Sequence, residues 1–187
     1  MELKIYQPFE PVLITQGWGV PNPAYQQFGF SRHNGIDMVG RVDLPKFPLY
    51  CPVKGFFVWQ VRNSPDGGGN EFYLISKEDL VIGDKVCRAM LVFMHNEKVL
   101  VQAGYEPALG ELISVGDSTG FSTGPHLHMG LYRVSYNGSQ VFKLDTNDAN
   151  NSYDPAPFMV KESAQDNAEE GRFFTSLLRY VQWYVSK

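Results

Sequence analysis

The chain has 187 residues, of which 43% are hydrophobic, so it can bury one ordinary core and is short for two substantial domains. Charged residues make up 19% and the formal net charge is −4, which excludes the strongly basic surface that nucleic-acid binding needs. No apolar run approaches the roughly 20 residues that cross a bilayer, so we expect no transmembrane segment.

Short apolar segments rich in Val, Ile, Phe and Tyr alternate with turn residues, which is typical of a mainly β domain. In chain order the candidate strands are PVLITQG, LYCPVKGFFVWQVR, NEFYLISK, RAMLVFMH, LISVGDS, HLHMGLYRV and SQVFKL. Between the second and third, NSPDGGGN (residues 63–70) predicts a hairpin loop, because glycine adopts the positive φ angles that tight turns need.

The composition changes near residue 160, and we predict a core domain over residues 1–160 followed by an amphipathic α-helix within residues 161–187. The apolar residues at helical spacing are Phe173, Phe174, Leu177, Leu178, Val181 and Val185. Ser163 or Asp166 is a candidate N-cap. The helix packs on or beside the domain, or alternatively contacts a partner protein or a second copy of the chain through Trp183 and Tyr184.

Cys51 and Cys87 are the only cysteines, and they form no CxxC pair, so a four-cysteine zinc site is excluded. Two buried free thiols or one disulfide remain open. We favour free thiols, because a domain of this size does not require a covalent staple.

Two short motifs contain candidate metal ligands. His126 and His128 begin an apolar run behind a glycine-rich turn, and in a strand residues i and i+2 point to the same face, so both imidazoles converge. In SRHNGIDM, the spacing of His33 and Asp37 places both on one face of a helix or a strand. Two histidines and a carboxylate satisfy the three protein ligands of a catalytic zinc site.

Each motif alone also fits residues on a solvated surface. A lone HxH matches two exposed histidines on a strand, and a lone HxxxD is less specific still. The chain has only four histidines, and both motifs lie beside glycine and an apolar run. Their joint occurrence favours a metal site.

Three segments resemble the signature segments of the lysostaphin and LytM type zinc endopeptidases, which cut peptide crosslinks in bacterial peptidoglycan. The segments are SRHNGIDM, FMHNEKV and GDSTGFSTGPHLHMGLY, and the resemblance covers about residues 12–160. It implies a lysostaphin-like, mainly antiparallel β-sheet or sandwich domain.

The resemblance also implies a role for each histidine. His33, Asp37 and His128 would bind one Zn²⁺ per chain, and His95 and His126 would be the catalytic histidines. The implied reaction is hydrolysis of peptide bonds in peptidoglycan crosslinks or stem peptides by a metal-activated water. One histidine would act as general base and the other would stabilise the oxyanion, with the assignment between them open.

The implied place of action is the cell wall, reached as a periplasmic or extracellular protein or by phage delivery. The first residues, MELKIYQPFE, lack a basic segment followed by an apolar stretch, so we expect no signal peptide in this chain.

The chain departs from the family pattern in two places. Family members often carry Phe-Gly-x-Arg before the first motif, where this chain has GWGVPNPAY, so an arginine contact is not expected. Many members carry Tyr-Ala-His-Leu at the second motif, and here Phe93 and Asn96 change the wall of the cleft.

Two other functions fit part of the pattern. A non-catalytic peptidoglycan-binding, regulatory or phage structural module would keep the fold, but such relatives usually lose a ligand or a catalytic histidine, and this chain has all five residues. Zinc peptidases of the D-Ala-D-Ala carboxypeptidase or L,D type have a wider gap than that between His33 and Asp37. We therefore expect an active metalloendopeptidase.

Overall fold

A computed structural model describes residues 1–40, 46–145 and 152–168 of the chain. The strands are β1 (Ile5–Gln7), β2 (Leu13–Gln16), β3 (Ile36–Val39), β4 (Phe47–Tyr50), β5 (Phe56–Ser64), β6 (Gly69–Ser76), β7 (Leu80–Ile82), β8 (Lys85–Val99), β9 (Leu112–Gly116), β10 (Leu127–Tyr136), β11 (Val141–Lys143) and β12 (Met159–Ser163). Within these ranges the helical elements are two short 3₁₀ helices, Pro23–Phe28 and Ala156–Phe158. Neither helix is long enough or apolar enough to span a membrane.

Ten strands form one antiparallel sheet, which confirms the predicted mainly β, antiparallel class. The main strand order is β2-β3-β10-β8-β6-β5; β11 pairs with β10, β7 and β9 pair with β8, and β4 pairs with β9. β1 and β12 form a separate parallel pair. The long strands β8 and β10 lie at the centre, so residues on them are positioned by neighbours on both sides.

The central strands bury apolar side chains on both faces of the sheet. On β8, Leu91 and Phe93 pack in the larger core, whereas Met90 and Val92 pack in a smaller cluster. On β10, the larger core receives Leu127, Met129 and Leu131, and the smaller cluster receives Tyr132 and Val134. Because side chains alternate along a strand, His128 lies on the face of the smaller cluster, further along the same row.

The predicted hairpin is present, and one predicted strand is divided. The glycine-rich stretch connects β5 to β6, with Ser64 paired to Gly69 across the turn. The run LYCPVKGFFVWQVR is interrupted between β4 and β5, where the chain bends at Gly55, which takes a φ of 76°.

The predicted C-terminal α-helix is not supported. Residues Met159–Ser163 form β12, whose backbone pairs with β1, and a turn follows at residues 164–167. Ser163, a candidate cap, is buried at the end of that strand, and its hydroxyl accepts a hydrogen bond from the Gln165 backbone N–H. The helical spacing rests on residues 173–185, which lie outside the described residues. Partner contact through such a helix is likewise without support.

Both cysteines are free and buried in the structure. The Cys51 thiol donates to the backbone oxygen of Val53 at 3.2 Å, and burial raises the pKa of this thiol to about 12. A neutral thiol is a poor metal ligand, so Cys51 serves as a packing residue.

The stacked pair of Phe72 and Phe93 predicts where the core is most sensitive to truncation. Both rings are fully buried, with centroids 4.7 Å apart and planes at 5°. Phe72→Ala should lower the free energy of unfolding by about 3–5 kcal/mol, because it leaves a cavity between β6 and β8. Phe142→Ala on β11, where the ring is 52% exposed, should change it by less than about 0.5 kcal/mol. Denaturant titration measures both, and equal effects would contradict this description of the core.

Candidate metal centre

The sheet register brings three of the predicted site residues together. His128 on β10 lies directly opposite Asp37 on β3, and its other neighbour across the sheet is Met94 on β8. His33 precedes β3 in a loop whose backbone is hydrogen-bonded to Val20 and Gly19. The paired strands therefore position His128 and Asp37, and the loop positions His33.

Three atoms of these residues form a nearly equilateral triangle. The distance from His33 Nε2 to His128 Nδ1 is 3.0 Å, from His128 Nδ1 to Asp37 Oδ1 is 3.0 Å, and from His33 Nε2 to Asp37 Oδ1 is 3.1 Å. His33 and His128 are buried and Asp37 is partly buried. Within the described part of the chain, this is the one group of three or more His, Cys, Asp and Glu side chains that lie close enough to share an ion.

The other two predicted site residues lie beside this triangle. His126 immediately precedes β10, and its Nε2 is 3.7 Å from Asp37 Oδ1. His95 on β8 faces His126 with ring centroids 4.6 Å apart, and it faces His128 at 6.2 Å. All four histidines and the aspartate therefore surround one small volume, which no single strand could achieve.

Backbone carbonyls orient three of the four imidazoles. Nδ1 of His33 lies 2.9 Å from the carbonyl oxygen of Gly17, Nδ1 of His95 lies 2.8 Å from that of Thr119, and Nδ1 of His126 lies 2.8 Å from that of Gly124. A carbonyl only accepts, so each Nδ1 must carry a proton, and in the neutral ring Nε2 then keeps a lone pair. For His33 that lone pair points into the triangle.

Burial and hydrogen bonding shift the protonation of the site. Burial opposes ionisation of Asp37, but the adjacent His128 and His33 imidazoles outweigh it and hold the pKa of this carboxyl well below its usual range. Burial lowers the pKa of His95 to about 4, against a smaller opposing effect of the Thr119 carbonyl. Burial also lowers the pKa of His128. At neutral pH the site therefore combines the Asp37 carboxylate with neutral imidazoles at His95 and His128.

The donor set fits a bound metal ion. Lone pairs of His33 Nε2, Asp37 Oδ1 and His128 Nδ1 repel one another unless a cation or a proton lies between them. Ligand atoms of a tetrahedral zinc site are about 3.3 Å apart, given metal–ligand distances of about 2.0–2.1 Å. The edges of the triangle, 3.0–3.1 Å, are close to that value. Two imidazoles and a carboxylate also match the nitrogen and oxygen ligands of a hydrolytic metal site.

Gly35, between His33 and Asp37 in the first motif, permits the close approach of His128. A Cβ atom on Gly35 would lie 2.5 Å from the Met129 carbonyl oxygen and 2.7 Å from His128 Nε2. His128 Nε2 is also the buried side-chain polar atom that lacks a hydrogen-bond partner in the described ranges. The ring is thus packed against the Gly35 backbone with Nδ1 turned toward the triangle. Asn-Gly in the sequence indicates a turn but does not reveal this packing.

Sequence reasoning also missed three residues that support the site through their backbone. Their contribution is a backbone oxygen in Gly17, Thr119 and Gly124, which no side-chain pattern reports. Tyr25 stacks on His33 with centroids 5.5 Å apart, and its hydroxyl accepts a hydrogen bond from Gln16 Nε2 at 2.7 Å. Burial raises the pKa of this tyrosine, so the hydroxyl stays protonated beside the site.

Two curated proteins are similar to parts of the chain, and no family model matches it. An uncharacterized metalloprotease of Haemophilus influenzae is 47% identical over 53 residues, which is 28% of this chain and 10% of the relative. The glycyl-glycine endopeptidase ALE-1 of Staphylococcus capitis is 33% identical over 102 residues, which is 54% of this chain and 23% of the relative. The matches therefore span about a tenth and about a quarter of the length of these relatives.

Solved structures share the fold. The catalytic domain of the antimicrobial peptidase lysostaphin from Staphylococcus simulans matches with a TM-score of 0.55 and 26% identity, over 78% of this chain and 90% of that domain. A zinc-containing peptidase from Vibrio cholerae matches in fold with a TM-score of 0.56 and 21% identity, over 87% of this chain and 41% of that chain. The predicted resemblance to lysostaphin-type metallopeptidases is confirmed.

The contact at Gly35 yields a prediction about ion binding. Gly35→Ala should displace His128 and reduce the affinity for a divalent ion by about tenfold to a hundredfold, since the backbone oxygen of Met129 cannot yield to a methyl group. Metal content after dialysis against a weak chelator measures the effect. Gly17→Ala is the matched control, because a Cβ there meets nothing within 4 Å although its carbonyl also supports the site. Equal metal retention in the two variants would contradict the assigned role of Gly35.

Proposed function

We propose that the chain is a zinc metalloendopeptidase that hydrolyses peptide bonds in bacterial peptidoglycan crosslinks or stem peptides. One observation carries the proposal: His33, Asp37 and His128 present three lone-pair atoms within 3.1 Å of one another, and His95 and His126 lie directly beside them. A metal site flanked by two further imidazoles contains the groups that amide hydrolysis requires near neutral pH.

His33, Asp37 and His128 are the proposed ligands of one Zn²⁺. A zinc ion held by three protein ligands supplies a Lewis acid that polarises a peptide carbonyl and lowers the pKa of water to about 7. The Asp37 carboxylate brings one negative charge to the ion, and the carbonyl of Gly17 keeps His33 in the tautomer that offers Nε2. Burial of the two histidine ligands limits competition from bulk water.

His95 and His126 are the proposed catalytic histidines. Their Nδ1 protons are committed to the carbonyls of Thr119 and Gly124, so the proton that each can take up or hold is at Nε2. Since the two rings lie 4.6 Å apart between centroids, both reach the same scissile bond. One imidazole accepts a proton from the attacking water and returns it to the leaving amine. The other, once it carries a proton at Nε2 as an imidazolium, donates a hydrogen bond to the developing oxyanion.

The substrate class rests on the similarity to ALE-1 and to the lysostaphin catalytic domain. ALE-1 is a glycyl-glycine endopeptidase, and the match to it covers about half of this chain. We accordingly place the activity of this chain at the cell wall, on an extended peptide that lies across the metal.

Separate substitution of the two histidines of the HxH motif tests the proposal. His128→Ala should lose the metal and all hydrolysis, because it removes a ligand. His126→Ala should keep about one zinc per chain and lose about 10²–10⁴-fold in rate, because it removes a proton-transfer group. The measurements are zinc content and clearance of purified sacculi, with mass spectrometry of the released peptides to identify the bond.

Phe142→Ala serves as the control, since that exposed ring lies on β11, away from the ligand cluster. It should clear sacculi at the wild-type rate. Zinc-loaded wild-type protein that binds sacculi from several wall types without opening any peptide bond would refute the proposed activity and would favour a binding module.

A further inference from the structure

His95 has a backbone conformation that a side-chain-bearing residue rarely adopts. Its φ is 66°, and among the described residues it is the one residue other than glycine with a positive φ. Such a conformation is strained for an ordinary residue and persists only where the surrounding structure imposes it. What imposes it here therefore also decides where the imidazole points.

The strain coincides with a bulge in β8. Against β6, Phe93 pairs with Phe72 and Asn96 pairs with Asn70, so β8 uses three steps where β6 uses two. On the other edge, β8 pairs with β10 as far as Met94 and with β9 from Asn96 onward. His95 thus lies where the strand changes partners, and the extra residue turns its side chain toward His126.

Asn96, the residue after the bulge, is fully buried and hydrogen-bonded in three directions. Its Nδ2 donates to the carbonyl of Asn70 at 2.8 Å and to that of Phe93 at 3.2 Å. Its Oδ1 accepts from the Ser114 hydroxyl at 2.6 Å. Two carbonyls on one side of the amide can accept only from NH₂, so this orientation is fixed. The carboxamide closes the gap that the bulge leaves in the strand ladder.

The backbone of Asn96 extends this network to the support of the imidazole. The Asn96 carbonyl accepts from the Thr119 hydroxyl at 2.7 Å, and that hydroxyl accepts from the Asn70 N–H at 3.0 Å. The Thr119 carbonyl in turn holds Nδ1 of His95 at 2.8 Å. Asn96 therefore contacts Phe93, on the other side of His95 in β8, and also Thr119, whose carbonyl orients the His95 ring.

We propose that Asn96 is a positioning residue for His95: its buried carboxamide fixes the bulge, and thereby directs Nε2 of the His95 imidazole into the site. Asn96 touches neither the proposed ligands nor the substrate. The role rests on the proposed function where turnover is concerned, but the orientation of His95 is a property of the folded chain itself.

The test compares three variants of the full, zinc-loaded chain. Asn96→Leu keeps the size of the side chain and removes its three hydrogen bonds. Ser114→Ala removes the partner of Oδ1 together with the contact of the same hydroxyl to the Lys98 carbonyl, and it leaves the two hydrogen bonds of Asn96 Nδ2. It is the milder change, for use if Asn96→Leu does not fold. Ser76→Ala is the matched control: its buried hydroxyl also links β6 to β8, through the Ala89 N–H at 3.0 Å, but does not contact His95.

Two measurements separate positioning from a general loss of stability. Long-range ¹H–¹⁵N correlation of the imidazoles reports which nitrogen of His95 carries the proton, and it should show Nδ1–H in the wild type and a mixture of tautomers in Asn96→Leu. Sacculus hydrolysis at matched zinc content should show kcat reduced by about tenfold to a hundredfold with KM little changed. Ser114→Ala should move both readouts in the same direction by less, and Ser76→Ala should move neither.

A wild-type tautomer signal for His95 in folded Asn96→Leu, or in Ser114→Ala if the first variant does not fold, overturns the proposal. So does a Ser76→Ala protein that shows the same tautomer mixture, since stability alone would then explain it. If wild-type protein hydrolyses no wall peptide, the proposed function fails, and the tautomer comparison still decides whether Asn96 orients His95.

Discussion

Repulsion among three lone-pair atoms is the constraint on which the site depends. His33 Nε2, Asp37 Oδ1 and His128 Nδ1 are held within 3.1 Å of one another, and no two of them attract unless a cation or a proton lies between them. The sheet keeps them there because Asp37 and His128 are opposed across paired strands. Packing elsewhere in the molecule must offset this repulsion, and a bound ion would meet ligand atoms that need little rearrangement.

One face of the central sheet changes character along its length. On β10, Val134 and Tyr132 pack in an apolar cluster, Gly130 follows with no side chain, and His128 then joins the candidate metal site. The opposite face carries the larger core, with Leu127 and Met129 packed next to His128 in the chain. Successive side chains of β10 point to opposite faces of the sheet. One set therefore packs in the larger core and stabilises the fold, while the other set includes His128 of the candidate metal site.

The sequence predicts the presence of the sheet and the residues of the site better than it predicts the strand pairings and backbone contacts that hold them in place. Alternation identifies the long strands, and glycine content identifies the β5–β6 hairpin, because both signals are local. The three-residue strands β1 and β7 are missed because they are too short to show a period. Likewise β12 is missed, since its pairing with β1 is set by residues more than 150 positions away in the chain.

The bulge at His95 is hidden for a related reason. It exists only as a difference in register between β8 and its partners, and the letters FMHN carry no sign of a positive φ. From the sequence, Asn96 is a departure from the family's second motif that is expected to change the wall of the cleft. In the structure its side-chain amide is buried and donates to two backbone carbonyls. Helical spacing in residues 173–185 is a local signal of the same kind as strand alternation, and it falls outside the described residues.

Main-chain oxygens rather than side chains select the tautomer of His33, His95 and His126. An oxygen of this kind is present whatever residue occupies its position, provided that the loop keeps its path. Substitution of residues in these loops can consequently change the surface that the proposed peptide substrate would contact without changing the tautomer of the three imidazoles. The architecture in this way uncouples the evolution of substrate preference from the upkeep of the reactive centre.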